Sequence, residues 1–268
     1  MSQGERAEPS GTAATYERDG HVATITYHRP EAANTVNGAM RRDLNAAWER
    51  FMADEEAWVA ILTGAGDRHF CGGADLRDPD GSTGDFAGTF WEVPTVNSFE
   101  SGLEVFKPTI AAVNGVCLGY GLTAVVSCDF VVASDRATFS WPEVTIGIPT
   151  IVGAIRLPRK VAWADAMELL LTGEAIDAQR AVDIGLAWRV VPHGDLMAEA
   201  RALADRLCRA APLAARATKE VAVRTRDMGW TEAVRFGETM RRVAGTTDDA
   251  AEGRTAWREK RSPEWEGR

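Results

Sequence analysis

Residues 107–129 read Lys107-Pro108-Thr109-Ile110-Ala111-Ala112-Val113-Asn114-Gly115-Val116-Cys117-Leu118-Gly119-Tyr120-Gly121-Leu122-Thr123-Ala124-Val125-Val126-Ser127-Cys128-Asp129. Thr109 to Val113 is a short unbroken apolar run, the pattern of a buried strand. A loop with Gly115, Gly119 and Gly121 follows, and Leu122 to Ser127 is apolar for long enough to open a helix. A strand, a glycine loop and a helix start leave several backbone N–H groups unpaired and aimed one way. Such a corner can hold an anion, or an oxygen that becomes one during a reaction. The glycines do not space as G-x-G-x-x-G and no Lys-Ser or Lys-Thr follows, so neither the dinucleotide fingerprint nor the P-loop fits. Taken alone they favour a tight strand-to-helix turn in which glycine permits close packing. The rest of the chain changes that balance.

The 268 residues suffice for one large domain, or one domain with an appendage. Hydrophobic content of 45% and charged content of 26% are ordinary for a soluble globular protein. A net charge of −9 argues against a general nucleic-acid binder, while leaving room for a local basic pocket. The cysteines, Cys71, Cys117, Cys128 and Cys208, show no C-x-x-C spacing and are expected to be reduced thiols in a cytoplasmic protein. The histidines, His21, His28, His69 and His193, are far apart in sequence, so no zinc pattern forms and no metal is expected. No apolar run reaches the length of a membrane span. Met1 to Thr12 is polar, lacks the apolar core of a signal peptide and is expected to be a disordered lead-in.

Along the chain, Asp19-Gly20 between Thr15–Arg18 and His21–Tyr27 signals a β-hairpin. Asn37 can cap a helix in which Met40, Leu44, Trp48 and Phe51 recur at helical spacing. Trp58 to Thr63 is a buried strand followed by Gly64-Ala65-Gly66 and then Phe70-Cys71-Gly72-Gly73-Ala74-Asp75-Leu76, a second strand-to-glycine-loop transition. Arg77 to Pro94, rich in Gly, Asp, Ser and Pro, has no period and is expected to be a mobile loop. Phe130 to Ala133 is a strand, and Thr138 to Ile148 is expected to be extended, interrupted by Pro142. Helices are expected at Trp163–Leu171 and from an Asp177 cap to Ile184, with a strand at Ala187–Val191. From Gly194 onward the chain is almost all helical. The fold class is therefore α/β with a helical C-terminal appendage.

These segments together resemble the crotonase superfamily, also called the enoyl-CoA hydratase/isomerase family, from about Tyr16 to Arg268. The resemblance is carried by His28-Arg29-Pro30 with Asn34, Leu62 to Gly66, Phe70 to Leu76, Lys107 to Asp129, and Trp141-Pro142-Glu143 with Gly147-Ile148-Pro149. Leu171-Thr172-Gly173, Val190-Val191-Pro192 and the tail Glu259-Lys260-Arg261 also fit. It implies a crotonase-like spiral of ββα units at 13–205 and a C-terminal helical, trimerising region at 206–268. It further implies an acyl-CoA substrate, with coenzyme A part of that substrate and no other cofactor, and a homotrimer or a dimer of trimers. In this family two backbone N–H groups, one from each glycine loop, hold the thioester oxygen; by position these are Ala74 and Tyr120. Arg29, Ala32, Ala74, Asp75 and Leu76 fall on the side that meets CoA. Trp257 and Lys260 match positions that reach the CoA of a neighbouring subunit.

Hydratases of this family carry two glutamates around a water, and only the second is matched here, by Glu143. Thr123 stands at the first position. Threonine is not a general base at neutral pH, though it can hydrogen-bond a water or a substrate hydroxyl. The implied activity is hydration or double-bond isomerisation of an enoyl-CoA with a single glutamate. The alternatives are a hydratase-lyase on an aromatic acyl-CoA, and a non-catalytic CoA-binding relative. Val144-Thr145 beyond Glu143 offer no Asp nucleophile, which argues against halide displacement. Trp141, Trp91 and Phe90 stand open between acyl pocket and core.

Overall fold

The computed structural model describes residues 12–78, 98–100 and 102–268. Residues 1–11 of the expected lead-in lie outside these, as do residues 79–94 of the expected mobile loop, with Phe90 and Trp91. The hairpin forms as β1 (Ala14–Asp19) and β2 (Val22–Tyr27), closing with Asp19 opposite Val22. The larger described sheet then adds β3 (Val59–Gly64), β5 (Thr109–Val113), β7 (Phe130–Ser134) and β10 (Arg189–Val191), in the order β1-β2-β3-β5-β7-β10. Every pairing after the hairpin is parallel.

The apolar runs are unbroken because both faces of this sheet are covered. Ala60, Leu62, Ala111 and Val113 face α1 (Gly38–Ala53), whose Met40, Leu44, Trp48 and Phe51 are buried in the same cluster. The alternate residues Val59, Ile61, Ile110 and Ala112 face α6 (Leu196–Leu207) through Leu196, Ala200, Leu203 and Ala204. Helix α6 runs through residue 205, where the end of the core was expected. Lys107, first residue of the opening stretch, donates from Nζ to the Phe51 and Asp54 carbonyls at 2.8 and 2.7 Å and so caps α1.

Three times the chain runs along the large sheet, turns a corner and adds a strand to a smaller one. β3 leads to β4 (His69–Cys71), β5 to β6 (Val116–Leu118), and β7 to β8 (Thr138–Ser140). With the short β9 (Ile176–Asp177) the described small sheet has the order β4-β6-β8-β9. Two expectations need correction here. Val116–Leu118 is a strand inside what read as one glycine loop, because its backbone pairs with β4 and β8. After β8 the chain is not extended but coils into a 3-10 turn, Pro142–Ile146, with Pro142 at its first position and Gly147 at its end.

The remaining helices are α2 (Tyr120–Ser127), α3 (Val152–Arg156), α4 (Trp163–Thr172), α5 (Ala178–Asp183), α7 (Pro212–Arg224), α8 (Trp230–Ala244) and α9 (Asp248–Glu259). The Asn37 and Asp177 side chains cap α1 and α5 as expected, each accepting from the N–H three residues on.

The corners are fastened by two buried amides. Asn34, fully buried with φ of 54°, accepts from Arg29 N–H at 2.9 Å and donates to the Ala65 and His69 carbonyls at 2.9 and 2.8 Å. Asn114 donates to the Gly64 and Gly66 carbonyls at 3.0 and 2.8 Å. Both hold the turn from which β4 and the loop after it emerge. Asn34→Leu strands one buried N–H and two carbonyls, each worth roughly 1–3 kcal/mol when unpaired. It is expected to lower stability by more than about 2 kcal/mol, read as a lower urea midpoint at unchanged slope.

Candidate active site

The two glycine loops meet. Gly121 lies against Cys71: a Cβ there would sit 2.5 Å from the Cys71 Cβ. Gly73 faces Leu118, whose carbonyl oxygen would be 3.4 Å from such a Cβ. In the first loop Ala74 forms a parallel bridge with Val36. Val36 N–H donates to Gly73 C=O and Asp75 N–H donates to Val36 C=O, both at 2.9 Å. That pattern turns the N–H of Ala74 itself away from Val36, and no described backbone bond takes it up. In the second loop Tyr120 is the first residue of α2, so its N–H has no partner within the helix.

Glu143 sits over this corner. The backbone at Gly119 has φ of 50° and ψ of −112°, a conformation reserved for glycine, and a Cβ there would lie 2.6 Å from Glu143 Oε1. The carboxylate thus rests against the residue preceding the Tyr120 N–H. Its Oε2 is buried with no hydrogen-bond partner. Burial pushes the Glu143 carboxyl above its ordinary value, and its own backbone N–H and the nearby Thr150 hydroxyl offset part of that rise. Thr150 is near without hydrogen-bond geometry, for its Oγ1 is also buried and unpartnered. A buried carboxylate with a free oxygen lobe is equipped to take and return a proton.

Thr123 is enclosed in the structure. Its hydroxyl donates to the Gly119 carbonyl at 3.2 Å and accepts from the Trp141 indole N–H at 3.1 Å. Trp141 is fully buried and belongs to the core. The two side chains tie the start of the Glu143 turn to the start of α2. Their pairing has no signal in the sequence beyond a polar residue on an apolar helix.

The Tyr120 ring leaves the corner toward α1, where Arg41 lies over it at 5.7 Å. Burial and the adjacent Glu100 carboxylate hold its phenol far above the ordinary value. Glu100 had not been singled out from sequence. Arg29 donates to the Thr35 carbonyl at 2.8 Å and pairs with Asp75 at 3.3 Å, fastening the segment after Ala74. Ala32 ends a neighbouring 3-10 turn, and Leu76 is exposed. Trp257 and Lys260 stand exposed at the end of α9. Trp257 shares a groove with Gly253 and Trp265, and none of residues 71–76 or 119–123 lines it. Asp129 is structural, accepting from Thr109 N–H at 2.8 Å and pairing with Lys219 at 2.6 Å. Among the described residues no group of three His, Cys, Asp or Glu side chains is placed to hold a metal, and no helix is long and apolar enough to cross a membrane.

A family profile described as enoyl-CoA hydratase/isomerase matches residues 17–268. The chain belongs to the enoyl-CoA hydratase/isomerase family. This family member is 36% identical over 254 residues to an (E)-benzylidenesuccinyl-CoA hydratase of Thauera aromatica, covering 94% of this chain and 98% of that one. It is 38% identical over 263 residues to a carnitinyl-CoA dehydratase of Proteus mirabilis, covering 93% and 96%. A crystal structure of enoyl-CoA hydratase from Mycobacterium tuberculosis superposes with a TM-score of 0.87 at 33% identity, over 96% of this chain and all of that one. The spiral of the hydratase/isomerase fold is therefore shared.

Gly119→Ala adds a Cβ where the Glu143 carboxylate lies. It is expected to move the carboxylate by ångströms and to lower kcat/KM on any turned-over thioester by about 10²-fold. Circular dichroism should show the fold retained.

Proposed function

We propose that this protein hydrates or isomerises an enoyl-CoA, with the thioester oxygen held by the Ala74 and Tyr120 N–H groups and Glu143 as the single acid/base. The observation that carries this reading is the buried, unpartnered Glu143 Oε2 beside the open N-terminus of α2. In hydration, Glu143 accepts a proton from water as the water oxygen bonds to Cβ. The π electrons move to the thioester oxygen, which two fixed donors stabilise more as an enolate than as a carbonyl. Glu143 then returns the proton to Cα. In isomerisation the same carboxylate carries a proton between Cα and Cγ. Thr123 serves as a positioning residue, since its hydroxyl is engaged with Gly119 and Trp141.

Relatives named as a hydratase and a dehydratase favour the hydration direction. Action on an aromatic acyl group is the second reading, favoured by the relative named for benzylidenesuccinyl-CoA. CoA belongs to the substrate, with Arg29, Ala32, Asp75 and Leu76 on its side, and no other cofactor enters. Exposed Trp230, Val234 and Val243 on α8 support assembly through the C-terminal helices into a trimer or dimer of trimers, with Trp257 and Lys260 offered to a neighbour's CoA. The net charge of −9 argues against a nucleic-acid partner, and the unpaired cysteines support a cytoplasmic protein.

Crotonyl-CoA, 3-hexenoyl-CoA and feruloyl-CoA, followed by loss of enoyl-thioester absorbance and by product, test the reading. Glu143→Gln is expected to lower kcat by roughly 10²–10⁴-fold. Equal rates for wild type and variant on every turned-over substrate would refute the assignment, and binding without turnover of any thioester would support the non-catalytic alternative.

Stability gives an independent readout. Glu143 keeps its proton to higher pH in the folded chain than in the unfolded one. Between those two values the folded state binds more protons, so this group lowers stability as pH rises, and the loss is complete above the raised folded value. Glu143→Gln is therefore expected to unfold at higher urea than wild type near neutral pH, an advantage that vanishes below the ordinary carboxylate range.

A further inference from the structure

At the C-terminal end of α2, away from Tyr120, lies a partly open cavity of about 250 Å³. Five cationic side chains reach its wall: Arg156 from α3, Arg159 and Lys160 just after it, Lys219 from α7 and Arg226 just after α7. The acids on the wall, Asp129 and Glu104, are already paired with Lys219 at 2.6 Å and Arg224 at 2.8 Å. Arg159 pairs with Asp227 at 3.5 Å. Among the described residues Arg156, Lys160 and Arg226 form no ion pair with a carboxylate. Lys160 donates to the Cys128 carbonyl at 2.8 Å, which closes α2, and feels the charge of Asp129 without forming an ion pair with it.

Burial and the charge of Arg226 both push the Arg156 and Lys160 pKa values down. Three cations around one partly open space, none ion-paired to a carboxylate among the described residues, repel one another, and an anion placed between them converts that repulsion into attraction. Such a concentration of positive charge runs against a chain whose net charge is −9. Guanidinium forks match the oxygens of phosphate, and three converging cations favour more than one negative charge.

We propose that this cavity is a binding site for a small multiply charged anion of the phosphate class, separate from the thioester corner. The site is formed by Arg156, Lys160 and Arg226, with Lys219 held beside them by Asp129. It lies at the opposite end of α2 from the catalytic donors, and it stands whether or not the chain turns over an enoyl-CoA.

The test is calorimetric titration of the full-length protein with inorganic phosphate and with diphosphate at low ionic strength. It is repeated on Arg156→Met, Arg226→Met and the exposed-surface control Arg235→Met. Arg226 is exposed, so its variant leaves the fold intact even if Arg156→Met does not. Saturable binding that weakens by about tenfold or more in Arg226→Met, and not in the control, is the expected result. Absence of binding, or equal affinity in Arg226→Met and wild type, overturns the proposal. So does loss of phosphate binding in saturating CoA, which would assign the cavity to the substrate's own phosphates. A smaller sedimenting mass for anion-free Arg226→Met also overturns it, because a second copy of the chain would then be the occupant.

Discussion

The close approach of the Glu143 carboxylate to the Cα of Gly119 is the contact on which the site depends. It requires a residue without a Cβ, at a backbone conformation open only to glycine. The carboxylate held there is partly buried, and that burial raises its pKa. A single geometric fact thus links the glycine loop and the 3-10 turn to the proposed acid–base chemistry. The Trp141–Thr123–Gly119 hydrogen bonds keep the two segments in register.

The rest of the fold delivers backbone to that point. Each corner between the large and the small sheet exposes main-chain groups that a longer strand would consume. Buried Asn34 and Asn114 absorb several of them, so the corner is rigid before any substrate arrives. What remains open is the N–H of Ala74 and the N–H of Tyr120, both main-chain groups. Rigid donors of this kind need no reorganisation as charge develops, which is the physical basis of such catalysis.

Much of this was legible in the residues. The apolar runs at 58–63 and 109–113 declared buried strands, and the Asn37 and Asp177 caps were readable because capping depends only on neighbours in sequence. The three-residue strand Val116–Leu118 was not, since its length carries no period and its partners lie in other corners. Thr138 to Ile148 read as an extended stretch merely interrupted by Pro142, yet Pro142 serves as the first residue of a turn. Thr123 was read against a pattern of glutamates, whereas its partner Trp141 is 18 residues away and only the fold joins them. Glu100 and the cationic wall around Arg156 were equally hidden, for their members come from segments distant in sequence.

The absence of a Cβ at Gly121 has a consequence for redox behaviour. It lets the Cys71 side chain lie inside the corner, where burial pushes the thiol up to about 12. Cys117 and Cys128 are buried alike and shifted in the same direction. At neutral pH these sulfurs are protonated almost entirely, and it is the thiolate that attacks peroxides and disulfides. The sulfur nearest the glycine corner is therefore held by its burial in the less reactive thiol form.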